Sequence, residues 1–176
     1  MPAEKVNTVV VGGGQAGVAV SGHLHRAGVD HVVLEKSRIA EAWRTARWDS
    51  LVANGPAWHD RFPDKTFDDC GGDDFATKDG CARYFEDYVR EHDLPVRTGI
   101  TVNSTVHDPD GGYIVETSDG VIHAENVVAA TGPFQDPVTP PVVPADAPVI
   151  QMHSQTYRNP NQLAEGAVLV VGAGSS

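Results

Sequence analysis

The sequence predicts an α/β, doubly wound fold of Rossmann type, a parallel sheet carrying an antiparallel three-stranded meander. Three observations predict it. An apolar run meets the turn Gly12-Gly13-Gly14-Gln15-Ala16-Gly17, spaced GxGxxG, and helical spacing follows. Strand-like segments separated by the turns DPDGG and SDG follow a long amphipathic helix. A second apolar run ending in glycines, AVLVVGAGSS, closes the sequence.

Val6 to Val11 is apolar except for Asn7 and Thr8, as suits a buried parallel strand. From Gln15 to Ala27 the residues Ala16, Ala19, Val20, His23, Leu24 and Ala27 recur at helical spacing, and Gly28 provides a left-handed stop. HVVLEK from His31 is the next strand. Strand, glycine turn, helix and strand make a βαβ unit. Thr77 caps a helix running to His92, with Cys81, Tyr84, Phe85, Tyr88, Val89 and His92 on one face and Arg83, Glu86, Asp87 and Arg90 outward. Ile100–His107, Tyr113–Thr117 and Val121–His123 read as the meander, and NVVAATG as a separate strand returning to the parallel sheet. Six prolines between Pro133 and Pro148 then impose an extended connector.

The chemistry begins at the first glycine turn. Its spacing puts Gly12 at the tight bend, Gly14 where a pyrophosphate approaches the backbone, and Gly17 where helix packs on strand. The free N–H groups of Gln15 and Ala16 at the helix start bind an anion without a basic side chain. Glu35, with Lys36 beside it, ends the next strand at the acceptor position for a ribose diol. A 2′-phosphate there would meet a like charge, costing about 4 kcal/mol at 4 Å and an effective dielectric near 20. NADP is therefore disfavoured at this turn, and FAD or NAD remains.

Composition excludes other classes. In 176 residues, 24 acidic side chains against 13 basic give a net charge of −11, with no basic patch. Such a surface repels nucleic-acid backbones and anionic lipid. Cys70 and Cys81 have neither redox nor zinc spacing and read as free thiols, and no histidine pair has metal-ligand spacing. There is no nucleophile elbow. With no signal peptide or spanning segment, the expected address is cytoplasmic and the expected partner a small-molecule substrate.

The stretches WRTARWDSLVANGPAWHDRFPD, AATGPF and HSQTYRNP, with the two glycine turns, resemble the flavin-containing monooxygenases and their bacterial flavoprotein relatives. The resemblance spans essentially the whole chain but only the first part of such a protein. It implies FAD along the βαβ unit (residues 1–150), a connector (151–165) and the start of an NADPH domain (166–176). It also implies that Trp43 and Arg44 lie against the flavin and its ribityl-phosphate arm, and that Thr101 and Val102 lie near the adenine. Ala130, Thr131 and Gly132 match a backbone passage between the two nucleotide domains. Asn54 falls where eukaryotic members carry an active-site asparagine, with an ordinary turn residue before Gly55-Pro56 as the alternative reading. His153 and Tyr157 match the second half of the signature FxGxxxHxxxY. Ala147 and Val149 replace the Phe and Gly of its first half. Tyr157 also argues against the Baeyer–Villiger branch.

The implied reaction is NADPH-dependent monooxygenation through a flavin hydroperoxide, on a soft nitrogen, sulfur or carbonyl centre. Gly172, Gly174 and Ser175 would open the NADP turn without the helix that completes it. The expectation is accordingly a truncated flavoenzyme, with Ala167–Val171 as a strand available to pair with another chain. A non-catalytic FAD-binding module is the alternative. A flavin disulfide reductase is disfavoured because no CxxC pair is present.

Overall fold

In the computed structural model, which describes residues 4–144 and 146–172, the apolar run before Gly12 forms β1 (Glu4–Val11), with Val9 and Val10 wholly buried. There follow α1 (Gln15–Arg26), β2 (His31–Glu35), α2 (Glu41–Thr45), α3 (Lys78–Glu91), β3 (Val96–Thr98), β4 (Val102–His107), β5 (Tyr113–Thr117) and β6 (Gly120–Ala129). All six strands form one sheet in the order β3-β2-β1-β6-β5-β4. β3, β2, β1 and β6 run parallel, while β5 and β4 are antiparallel.

The meander and the returning strand, read separately from sequence, are continuous. β6 starts at the tight turn after Thr117, pairs antiparallel with β5 (Val115 opposite Ile122), and runs on parallel to β1 from Glu4↔Ile122 to Val11↔Ala129. The sequence pattern breaks this strand at Ala124-Glu125, but the register with β1 carries through, from Val6↔Ala124 to Thr8↔Asn126. β3 escaped notice because Val96-Arg97-Thr98 is too short to show a period.

The face of α1 also differs from expectation. Its buried residues are Gly17, Val18, Ser21 and Gly22, whereas Ala16, His23 and Ala27 are exposed. Val18 packs into the core, and elsewhere on this face the helix lies so close to its neighbours that only Gly17, Ser21 and Gly22 fit. A Cβ at Gly22 would come within 2.5 Å of the Tyr88 hydroxyl on α3. Ser21 Oγ and His31 Nε2, both buried, stand 2.8 Å apart and tie α1 to β2.

α3 buries the face its periodicity predicts, including Cys81, Tyr84, Phe85, Tyr88 and Val89, and the Thr77 side chain accepts from the Gly80 N–H at 3.1 Å. This helix organises the long irregular stretch between α2 and itself. Phe62 stacks on Phe85 with centroids 5.1 Å apart, and Phe67 on Tyr84 at 3.9 Å. The Tyr84 hydroxyl accepts from the Phe62 N–H and donates to the Lys65 carbonyl. Those contacts hold residues 59–66 as a wall beside the carboxyl ends of the parallel strands.

Burial raises the Cys81 thiol from 9.0 to about 11 and the Tyr84 phenol from 10.0 to about 12. The folded chain thus holds both protons more tightly than the unfolded chain. Their contribution is complete below pH 9 and declines as pH rises through 11 and 12. The melting temperature should accordingly fall above pH 9, and Cys81→Ala should flatten the fall between pH 9 and 11. An unchanged slope in that variant would contradict the burial account.

Candidate functional site

β1, β2 and β6 end together at Val11, Glu35 and Ala129, and a cleft of about 1460 Å³ opens beyond those carboxyl ends. This is the crevice where open α/β sheets bind ligands. Its volume exceeds the roughly 300–1000 Å³ of ordinary small-ligand pockets.

The glycine turn sets the geometry of one wall. Gly12 adopts φ +114°, and a Cβ there would lie 2.4 Å from the Ala130 carbonyl oxygen. A Cβ at Gly17 would lie 1.8 Å from the Gly12 carbonyl oxygen. Both positions must therefore be glycine for the chain's own packing. Gly14 is different. It has φ −86°, and a Cβ there would meet nothing within 4 Å. Neither backbone conformation nor any neighbour among the described residues demands glycine there, and the space lies in the cleft lined by Gly12, Gly14, Gln15 and Ala16.

α1 begins at this point without a capping side chain and without an acid in its first turn. The N–H groups of Gln15 and Ala16 have no intrahelical acceptor. They add their partial positive charge to that of the helix dipole. Glu35 faces the same space. Its carboxylate accepts from the Gly13 N–H at 2.7 Å and the Ser37 N–H at 2.8 Å, which fixes the side chain against the turn. Each oxygen keeps a lone pair for a further donor. Lys36 lines the cleft beside it.

The opposite wall comes from α2 and the segment after β6. The Ala40 N–H donates to the Gly13 carbonyl at 3.1 Å, so α2 is hung from the glycine turn. Ala40 itself is buried at φ +58°, a left-handed conformation for a residue with a side chain. Trp43 lines the cleft and meets Phe85 edge-on at 6.0 Å. Ala130, Thr131 and Gly132 also line it, anchored by the Ala130 N–H donating to the Val11 carbonyl at 2.9 Å. Gln155, at the centre of the turn joining His153 to Tyr157, reaches the same space, and its N–H donates to His153 Nδ1.

Several sequence-predicted residues stand elsewhere. Gly17 lies beneath the turn, packed on Gly12, and supports the cleft without lining it. Arg44 turns to α3, where its guanidinium pairs with Glu86 at 2.6 Å and its Nε is buried without a hydrogen-bond partner. Val102 packs against the apolar cluster on the sheet, outside the cleft. Asn54 is exposed and borders a smaller adjoining pocket of about 340 Å³, which shares Gln15, Trp43, Arg47, Asp60 and Phe134 with the cleft. Arg47 and residues 59–64 lie within the stretch that carries the resemblance, but no role is assigned to them from sequence, because they have no periodic signal.

The expected strand Ala167–Val171 does not form. Val168 to Val171 are exposed and unpaired in irregular backbone, because a strand needs a neighbour to complete its hydrogen bonds. Gly172 is exposed at φ +129°. Gly174 and Ser175 lie outside the described residues. No group of three metal-ligating side chains occurs among the described residues, and no helix of the structure is long and apolar enough to cross a membrane.

Residues 9–176 match the family model for pyridine nucleotide-disulphide oxidoreductases. The chain belongs to that family. It is 40% identical to a CzcO-like oxidoreductase of Geobacillus kaustophilus over 97% of its own length and 49% of the relative's. It is 32% identical to the indole-3-pyruvate monooxygenase YUCCA6 of Arabidopsis thaliana, over 96% of this chain and 42% of that protein. Among solved structures, a flavin monooxygenase variant from Stenotrophomonas maltophilia superposes with a TM-score of 0.80 and 30% identity, over 92% of this chain and 49% of the other. The chain thus spans about half the length of the curated relatives it matches. These relatives are named oxidoreductases and monooxygenases, consistent with an α/β sheet built to hold a dinucleotide at its carboxyl edge.

The two kinds of glycine are separable by substitution. Gly17→Ala should lower the melting temperature strongly, because its methyl group would overlap the Gly12 carbonyl. Gly14→Ala should melt like the parent chain. Equal destabilisation by both would contradict the assignment of Gly14 to open space.

Proposed function

We propose that the cleft holds FAD and that, in the whole protein, NADPH and dioxygen serve this flavin in monooxygenation of a small substrate. The observation carrying this reading is the open Gly14 beside unpaired helix-start amides, with Glu35 fixed alongside. An extended diphosphate ligand explains all three at once.

On this reading, the Gln15 and Ala16 N–H groups and the α1 dipole hold the pyrophosphate of FAD. The free lone pairs of Glu35 accept the ribose hydroxyls, with Lys36 beside them. Trp43 offers an aromatic edge to the flavin end. Ala130, Thr131 and Gly132 bring backbone close to the ligand without side-chain bulk. The residues fit the group: the cleft is large, at about 1460 Å³, one part has amide donors without acceptors, and beside it stands a carboxylate. FAD, when bound, supplies hydride acceptance from NADPH and oxygen transfer to a soft nitrogen, sulfur or carbonyl centre. The chain's residues orient it and shield one side from water.

Arg44 and Val102, assigned to FAD from resemblance, are better read as supports: Arg44 braces α2 on α3, and Val102 packs the sheet. Asn54 is proposed to border the reacting end through the adjoining pocket. Residues 1–150 form the FAD-binding part and 151–165 a connector. Residues 166–176, with Gly172, Gly174 and Ser175, open a second nucleotide-binding part that holds NADPH.

A second reading for this chain alone is a non-catalytic FAD-binding module: Val168–Val171 are exposed and pair with no strand among the described residues. A disulfide reductase is not supported. Cys81 borders the smaller pocket, but its thiol is pushed up to about 11, which leaves little nucleophilic thiolate at neutral pH.

The purified chain should show flavin absorbance bands or acquire them with added FAD. Gly14→Val should weaken FAD binding by about tenfold or more, the equivalent of about 1.4 kcal/mol, while melting like the parent. A chain that takes up no FAD would overturn the proposal. NADPH-dependent bleaching of the bands would separate the enzyme from the module.

A further inference from the structure

We propose that the pocket adjoining the cleft binds a small aromatic or apolar carboxylic acid, whose carboxylate is held by Arg47. This rests on the flavin reading only in taking the pocket as the substrate side of the cleft.

Arg47 is a cation without a partner. Among the described residues no carboxylate lies within ion-pair distance of its guanidinium, and no hydrogen bond engages it. That is notable in a chain with net charge −11, where most arginines have found an acid. Its surroundings are aromatic instead. The guanidinium carbon lies 6.0 Å from the Trp43 ring centroid and 5.2 Å from that of Phe134, so two π-faces orient the fork without using its N–H donors. A guanidinium so placed presents paired donors that match a carboxylate.

The pocket beside it selects the remainder of the ligand. At about 340 Å³ it is far smaller than the cleft and suits one or two fused rings. Trp48, Leu51, Phe67 and Phe85 supply apolar lining. Phe67 and Phe85 are held rigid in the aromatic cluster on α3. The one carboxylate in the lining, Asp60, is already engaged: one oxygen accepts from the Gly55 N–H at 2.9 Å and the other lies 2.7 Å from His59 Nδ1. Arg47 is therefore the one charged group in the lining with donors to spare, and Gln15 and Asn54 add neutral amides.

Isothermal titration of the FAD-loaded chain with 3-phenylpropionate, 3-phenylpropionamide and phenethylamine tests this. The acid should bind more tightly than the amide or the amine. Arg47→Ala should weaken the acid by about tenfold or more, as expected for losing a charge-assisted hydrogen bond, and Arg47→Lys should restore part of it. Amide binding should be unchanged in Arg47→Ala, with both ligands titrated at saturating FAD because Arg47 also lines the cleft. Equal binding of acid and amide, or preference for the amine, would overturn the assignment. Failure of the parent chain to bind FAD is a separate result that removes the flavin proposal, and acid binding to the FAD-free chain then still decides the role of Arg47.

Discussion

The contact between Gly17 and the Gly12 carbonyl is the constraint from which the site follows. It allows α1 to start directly over the end of β1, with no side chain between helix and strand. The first amides of α1 therefore face the crevice at the carboxyl edge of the sheet. Had the helix been displaced by the width of a methyl group, Gly13 would lose its hydrogen bond to Glu35, and α2 its anchorage at the Gly13 carbonyl. The glycine turn thus locates the helix-start amides, the Glu35 carboxylate and the opposite wall together.

The second organising element is α3. Its aromatic face holds the irregular residues 59–66 and, through Trp43 on Phe85, the short helix α2. A five-residue helix with a left-handed residue at its start has little stability of its own. Tertiary contacts from Gly13 on one side and Phe85 on the other supply it. The cleft is therefore shaped by residues far apart in sequence, which explains its size in so short a chain.

What the sequence made legible was local. The strand, glycine turn and helix at residues 6–27, the cap at Thr77 and the apolar face of α3 each follow from short-range rules of spacing and hydrogen bonding, and they appear as expected. Errors arose where pairing partners decide. β6 looked like two strands because its polar centre hid a continuous ladder. Ala167–Val171 looked like a strand because its side chains are apolar, but no described neighbour completes it. On α1 the spacing of apolar residues predicts one buried face, whereas packing buries Gly17, Val18, Ser21 and Gly22. At the site, Gly12, Gly14 and Glu35 could be read from their spacing, whereas Arg47 could not. Its significance lies in what is missing around it, and a sequence does not display missing partners.

The central claim is that the α1 amides are reserved for a diphosphate. Amide proton and nitrogen NMR of the chain during titration with FAD tests it at the atoms concerned. The Gln15 and Ala16 cross-peaks should move among the most of all backbone amides, as new acceptors replace water. Binding of FAD that leaves those two amides unmoved would contradict the account.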